Sequence, residues 1–314
     1  MNRIQLPKTQ LNVSRLCLGG NVFGWSADEY ESEGVLNAYT ELGGNFIDTA
    51  DVYSEWAEGH VGGESETVLG NWMRERKNRD DMVIATKVAK LTTRAGLSRA
   101  NIIAACDDSL RRLKTDYIDL YYAHEDDQSV DLLETLSAFS ELQQAGKIRY
   151  AAASNYSGAR LLEAAEVSRS NNLTEYVAVQ NHYNLLEREE YETDTRPAVE
   201  ALGMSSLPYF GLARGFLSGK YQPGVEIDSV RASGVTKYLN AEGWAVVERL
   251  QRLADHHSTD GRKVHVSAIA LAWLRQQPTV AAPIASARTV DQLRQFATEV
   301  VLTNTELNYL ANGQ

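Results

Sequence analysis

The sequence predicts an α/β fold of the (β/α)8 TIM-barrel type, with an N-terminal β-hairpin and a long loop after the seventh strand. Short apolar runs alternate with longer segments of helical spacing nearly to the end of the chain. Eight such runs can be found, the number that closes a barrel, and the length of 314 residues suits a barrel built as one domain over residues 1–314. The structural alternative is an open, doubly wound sheet. It is weakened because no G-x-G-x-x-G follows the first strand, so the phosphate-cradling turn of a dinucleotide-binding βαβ unit is missing.

The hairpin comes first: Ile4 to Leu6 and Leu11 to Val13 flank a Pro7-Lys8-Thr9 turn and should cover the bottom of the barrel. The first barrel strand is expected at Leu16 to Gly19. The others follow at Asn45 to Asp48, Met82 to Lys87, Tyr117 to His124, Ile148 to Ser154, Tyr176 to Gln180, Ser205 to Pro208 and Thr279 to Ile284. Helices are expected near Asp28 to Leu42, Glu64 to Arg76, Ser98 to Leu113, Asp131 to Ala145, Gly158 to Ser170, Glu189 to Leu202, Val264 to Gln276 and Val290 to Ala297. In the third of these, Ile102, Ile103, Ala105, Cys106, Leu110 and Leu113 recur at helical intervals. Asp107, Asp108, Arg111 and Arg112 fall largely on the other face, so one side should pack on a sheet. From Tyr209 to Asn240 the chain is rich in Gly, Ser, Tyr and Arg without helical periodicity. That reads as a long loop over one end, of the kind that carries function.

Hydrophobic residues make up 43% and charged residues 23%, enough apolar surface for a sizeable core. The net charge of −11 repels phosphate backbones and anionic lipid heads, which argues against nucleic acid or membrane partners. Cys17 and Cys106 lie far apart and outside any CxxC spacing, so no disulfide framework or zinc cluster is indicated and a reducing compartment fits. The first residues show no long apolar segment behind a basic one, and no run of eighteen apolar residues occurs, so a cytoplasmic location is expected. A homo-oligomer is compatible with this surface. His256, His257 and His265 form no familiar ligand pattern, so they read as surface residues and no metal is expected.

In a barrel of this kind, reactive side chains project from the C-terminal ends of the strands. Three successive ends carry Asp48 with Tyr53 just beyond it, Lys87, and His124. Each alone reads as a cap, a core aromatic or a surface charge. Together they are hard to obtain from packing, because buried ionisable groups are costly unless paired. A phenol beside an ammonium, itself held by a carboxylate, makes an acid for protonating an alkoxide. The ammonium should lower the phenol's pKa, and the imidazole would orient the substrate oxygen.

The stretches FIDTADVYS, GESETVLG, VIATKV, LRRLKTDYIDLYYAH, GKIRYAAASNY, VQNHYNLLER, PYFGLARGFLSGKY and PIASARTVDQL together resemble the aldo-keto reductase superfamily along essentially the whole chain. The resemblance implies a catalytic tetrad at Asp48, Tyr53, Lys87 and His124. It also implies a nicotinamide cofactor, NADP(H), with NAD(H) as the alternative. By the same likeness Ser154, Asn155 and Gln180 would hold the carboxamide, and Tyr209 would stack on the nicotinamide ring. The backbone of Gly211, Leu212, Ala213 and Gly215, with Lys220, would wrap the pyrophosphate. Ser286, Arg288 and Gln292 would hold the adenosine 2′-phosphate and adenine. Phe296 stands where the family often has an asparagine, which departs from the adenine end of the pattern. The implied activity is reduction of a small aldehyde or ketone, or oxidation of the corresponding alcohol. Trp25, Trp56 and Tyr183 follow strand ends and either line an apolar substrate pocket or pack in the core. A regulatory subunit that binds the nucleotide with little turnover is the alternative, and a metal-dependent barrel hydrolase is a more distant one.

Overall fold

The computed structural model describes residues 1–222 and 234–313. The expected hairpin is present as β1 (Arg3–Gln5) and β2 (Asn12–Ser14), antiparallel, with Ile4 opposite Val13. The eight barrel strands are β3 (Cys17–Gly19), β4 (Phe46–Asp48), β5 (Val83–Val88), β6 (Ile118–Ala123), β7 (Ile148–Ser154), β8 (Tyr176–Gln180), β9 (Ser205–Ser206) and β10 (Ile284–Ala285). All neighbours pair in parallel, in the order β10-β3-β4-β5-β6-β7-β8-β9.

The ring closes through the segment before β10. Ser206 N donates to Thr279 O (2.8 Å), Ala281 N to Ser206 O (3.0 Å) and Ile284 N to Pro208 O (2.9 Å), while Cys17 N donates to Pro283 O (3.0 Å). The eighth strand was expected over Thr279 to Ile284, but its regular part begins only at Ile284. Pro278 and Pro283 bracket the segment and have no N–H to give, so the ladder there is broken into separate bonds.

The helices are α1 (Glu29–Glu41), α2 (Glu64–Arg76), α3 (Arg99–Leu113), α4 (Leu132–Gln144), α5 (Gly158–Ser170), α6 (Arg196–Leu202), α7 (Ala241–His257), α8 (Val266–Arg275), α9 (Val290–Ala297) and α10 (Asn304–Asn312). The expected helix from Glu189 to Leu202 is continuous but contains a π-helical turn over Tyr191–Thr195. Helices α7 and α10 are additions to the sequence reading. The expected loop from Tyr209 to Asn240 contains 3-10 turns at Ala213–Ser218 and Thr236–Tyr238, and its residues 223–233 lie outside the described residues.

Alternation along the strands sorts the core into two layers. Cys17, Phe46, Val83, Ala85, Leu120 and Tyr122 point into the barrel, where Leu6, Leu11 and Val13 of the hairpin cover them. Ile47, Ile84, Tyr121 and Val179 point outward against the helices. With the bottom filled by apolar side chains, polar groups of the interior are left to the opposite mouth. No helix among the described residues is long and apolar enough to cross a membrane.

Candidate active site

Strand β4 ends at Asp48, and its pairing with β5 brings Lys87 alongside. Asp48 Oδ2 accepts from Lys87 Nζ (2.7 Å) and from the Tyr53 hydroxyl (3.1 Å), and Asp48 Oδ1 accepts from Gln180 Nε2 (2.8 Å). Lys87 Nζ also donates to Thr49 O (2.7 Å) and to the Tyr53 oxygen (2.9 Å), so all three of its donors are used. Lys87 is 0% exposed and Asp48 1%. Two opposite charges so deeply buried persist only when paired and hydrogen-bonded, and this closed triangle satisfies both conditions. The His124 ring meets the Tyr53 ring edge-on at 6.2 Å, and its Nδ1 has no hydrogen-bond partner among the described residues.

The electrostatics correct one expectation. Lys87 does touch the phenol, but burial and the Asp48 carboxylate push the Tyr53 hydroxyl well above the ordinary tyrosine value. The lowering expected from the ammonium is outweighed by loss of solvent and by the Asp48 charge. Burial also pushes Lys87 down, against the pull of Asp48. His124 is held well below the usual histidine range by burial and by the Lys87 and Lys90 cations, so its imidazole is neutral at pH 7.

A cavity of 790 Å³ opens above this group. Its walls include Asp48, Tyr53, His124, Ser154, Asn155, Gln180, Tyr209, Gly211, Leu212, Gly215, Lys220, Ser286, Arg288 and Gln292. Of the expected catalytic and cofactor residues, Lys87 and Ala213 do not line it: Lys87 lies beneath Tyr53 and Asp48, and the Ala213 side chain is buried in the core. Ser154 Oγ donates to Gln180 O (2.8 Å), Asn155 Nδ2 to His124 O (2.8 Å), and the Tyr209 hydroxyl to Asn155 Oδ1 (2.8 Å). At the far end Thr289 caps α9, accepting from Gln292 N, while Ser286 Oγ donates to Asn21 Oδ1 (2.6 Å). Sequence reasoning missed Asn21, Lys90 and Phe210 as wall residues. Asn21 follows directly on the end of β3, so the strand-end rule would have found it.

A second cavity of 640 Å³ shares Tyr53, Trp56, Lys90 and His124 with the first and adds Val52, Ala89, Thr92, Ala95 and Glu125. Trp56 is half exposed and stands at the mouth, and Trp25, which lines neither cavity, backs it edge-on at 5.6 Å. Tyr183 is not at the mouth, being fully buried and stacked on Tyr191 at 4.3 Å.

The model of the aldo/keto reductase family matches residues 15–312. The chain belongs to the aldo/keto reductase family. It is similar to the protein tas of Escherichia coli (32% identical, 92% of this chain and 90% of that one). It is likewise similar to norsolorinic acid reductase B of Aspergillus parasiticus (31%, 98% and 82%) and to a putative voltage-gated potassium channel subunit beta of Schizosaccharomyces pombe (32%, 92% and 85%). Membership makes this reductase an oxidoreductase of carbonyl compounds, in a family that typically uses nicotinamide cofactors.

The walls of the larger cavity fit such a cofactor. A Cβ on Gly19 would come within 2.5 Å of Ser286 Oγ, so glycine keeps that floor open. Ala213, Arg214 and Gly215 take left-handed backbone in succession (φ 47°, 58° and 98°), with Ala213 N donating to Phe210 O and Gly215 N to Leu212 O (2.8 Å each), a tight turn that sets Gly211, Leu212 and Gly215 in the cavity wall with Lys220 beside them. Arg288 then supplies positive charge next to the N-terminus of α9.

Proposed function

We propose that this reductase converts small aldehydes or ketones to alcohols, or runs the reverse oxidation, with Tyr53 as the general acid or base and NADP(H) as the cofactor. The observation that carries the reading is the closed Asp48–Lys87–Tyr53 triangle at a cavity mouth. When bound, the nicotinamide nucleotide supplies or accepts the hydride. Ser154 and Asn155 would hold its carboxamide and Tyr209 its ring. Gly211, Leu212, Ala213, Gly215 and Lys220 would surround the pyrophosphate, and Ser286, Arg288 and Gln292 the adenosine phosphate. Gln180 has a further duty, since its amide already holds Asp48 Oδ1.

Tyr53 gives its proton to the carbonyl oxygen as negative charge develops there. Burial keeps that hydroxyl protonated through the neutral range, and Lys87, already bonded to the same oxygen, stabilises the phenolate left behind. Asp48 holds Lys87 in place. The neutral His124 donates or orients a hydrogen bond at the substrate oxygen without competing as an acid. The substrate would lie in the second cavity against Trp56, whose neighbours Val52, Ala89 and Ala95 make the wall largely apolar.

The test follows nucleotide absorbance with an electron-poor aromatic aldehyde. Tyr53→Phe is expected to lower kcat by about a hundred- to ten-thousand-fold while nucleotide binding is retained. Arg288→Ala should raise KM for NADPH about tenfold and leave NADH unaffected, as expected for loss of one charged hydrogen bond. A wild type that binds NADPH tightly but turns over no carbonyl would instead favour the regulatory-subunit reading, to which the similarity with a potassium-channel beta subunit lends its support.

A further inference from the structure

Behind Tyr209 lies a side chain with no role so far. His182 follows β8, and a parallel bridge between His182 and Tyr209, with Tyr209 N donating to Asn181 O (3.2 Å), holds the two backbones side by side. Their rings stack at 5.4 Å between centroids and 14° between planes. Tyr209 lines the larger cavity and His182 does not, so the imidazole backs the phenol.

The protonation of His182 can be read from its partner. Asn184 is fully buried, and its Oδ1 accepts from Leu186 N (2.9 Å) and Glu187 N (3.2 Å), which fixes which end of the amide is oxygen. Its Nδ2 therefore donates, to Phe210 O (2.9 Å) and to His182 Nε2 (3.2 Å). A ring nitrogen that accepts carries no proton, so His182 is the neutral Nδ1–H tautomer. Burial, Lys237 and Arg214 all push its pKa down, and Glu187 alone pulls it up. At the other end of the stack the Tyr209 hydroxyl is tied to Asn155 Oδ1 (2.8 Å). The plane of Tyr209 is thus fixed by one hydrogen bond at its tip and one flat neutral ring behind it.

We infer that His182 is a positioning residue that backs Tyr209 so that its open face meets the nicotinamide ring. This rests on the proposed nicotinamide site. Its signature is selective: the nicotinamide half of the nucleotide should feel His182, and the adenosine half should not.

The experiment measures dissociation constants for NADPH, by its fluorescence, and for adenosine 2′,5′-bisphosphate, by displacement, in wild type, His182→Ala and His182→Phe. The alanine variant is expected to weaken NADPH about fivefold, the scale of one lost aromatic stack, and to leave the bisphosphate within about twofold. Phenylalanine, which restores a flat ring without the hydrogen bond, should bring NADPH back to within about threefold. Unchanged NADPH affinity in the alanine variant, equal weakening of both ligands, or no rescue by phenylalanine would each overturn the inference. Wild type that binds neither ligand would overturn the nucleotide site itself, a result no His182 variant can imitate.

Discussion

Asp48 and Asp51 stand close together in the sequence and meet opposite fates. Asp48 collects donors from Lys87, Tyr53 and Gln180, whereas Asp51 is fully buried and neither of its carboxylate oxygens has a hydrogen-bond partner among the described residues. Its neighbour Glu66 has taken the available groups, accepting from Thr86 Oγ1 (2.5 Å) and Arg112 Nε (2.6 Å). Burial first, and the Glu66 charge second, raise the Asp51 carboxyl to about 8. The native state therefore keeps a proton that the unfolded chain gives up near pH 4. Stability on this account falls as pH rises from about 4 to about 8 and is level beyond. Asp51→Asn should melt above the wild type at about pH 9 and together with it at about pH 4, which thermal melts across that range would check. The sequence singled out Asp48 by its place at a strand end. It offered no sign of Asp51, because what distinguishes the two is which donors the fold brings near.

Helix–helix contacts in this barrel depend on a few close approaches. Where α2 packs on α3, a Cβ on Gly70 would lie 2.2 Å from Arg112 O, a backbone atom that cannot turn aside. Gly70→Ala is expected to cost about 1–3 kcal/mol or more by overpacking, measurable as a lower midpoint in denaturant, despite the better helix propensity of alanine. The same kind of contact explains why α7 escaped the sequence reading. Its apolar face of Val246, Leu250, Leu253 and Ala254 has helical spacing, and Asn240 caps it. Gly243 in the first turn, however, looks like a breaker after a loop-rich stretch. It is there because a Cβ would come within 2.0 Å of Tyr238 O. Helix α10 was not expected either, although its start carries a capping box in which Thr303 and Glu306 each bond the other's backbone N–H. The ends of β4, β5 and β6 fall within one residue of where the apolar runs place them, so Asp48, Lys87 and His124 could be set at one mouth from spacing alone. The eighth strand slipped because proline controls ladder bonds that apolar patterning does not register.

Across the molecule, the two ends of the barrel divide the work. The hairpin places Leu6, Leu11 and Val13 under Phe46, Val83 and Leu120, far from the tetrad at the other mouth. Removing residues 1–14 should lower Tm and expose dye-binding apolar surface. Below the new melting temperature KM for carbonyl and nucleotide should remain within about twofold, since no wall residue of either cavity is lost. The acidic whole, at −11, also keeps its exposed cations local, with Lys220 and Arg288 standing beside the larger cavity. The complete enclosure of Lys87 has a consequence of a different kind. An amine-directed acylating reagent will mark exposed lysines such as Lys220 at once, but it can reach the Lys87 amine only in molecules whose barrel has opened. Tracked peptide by peptide in a mass spectrometer, acylation of that one amine is a clock for the opening of the barrel, running inside the protein without denaturant.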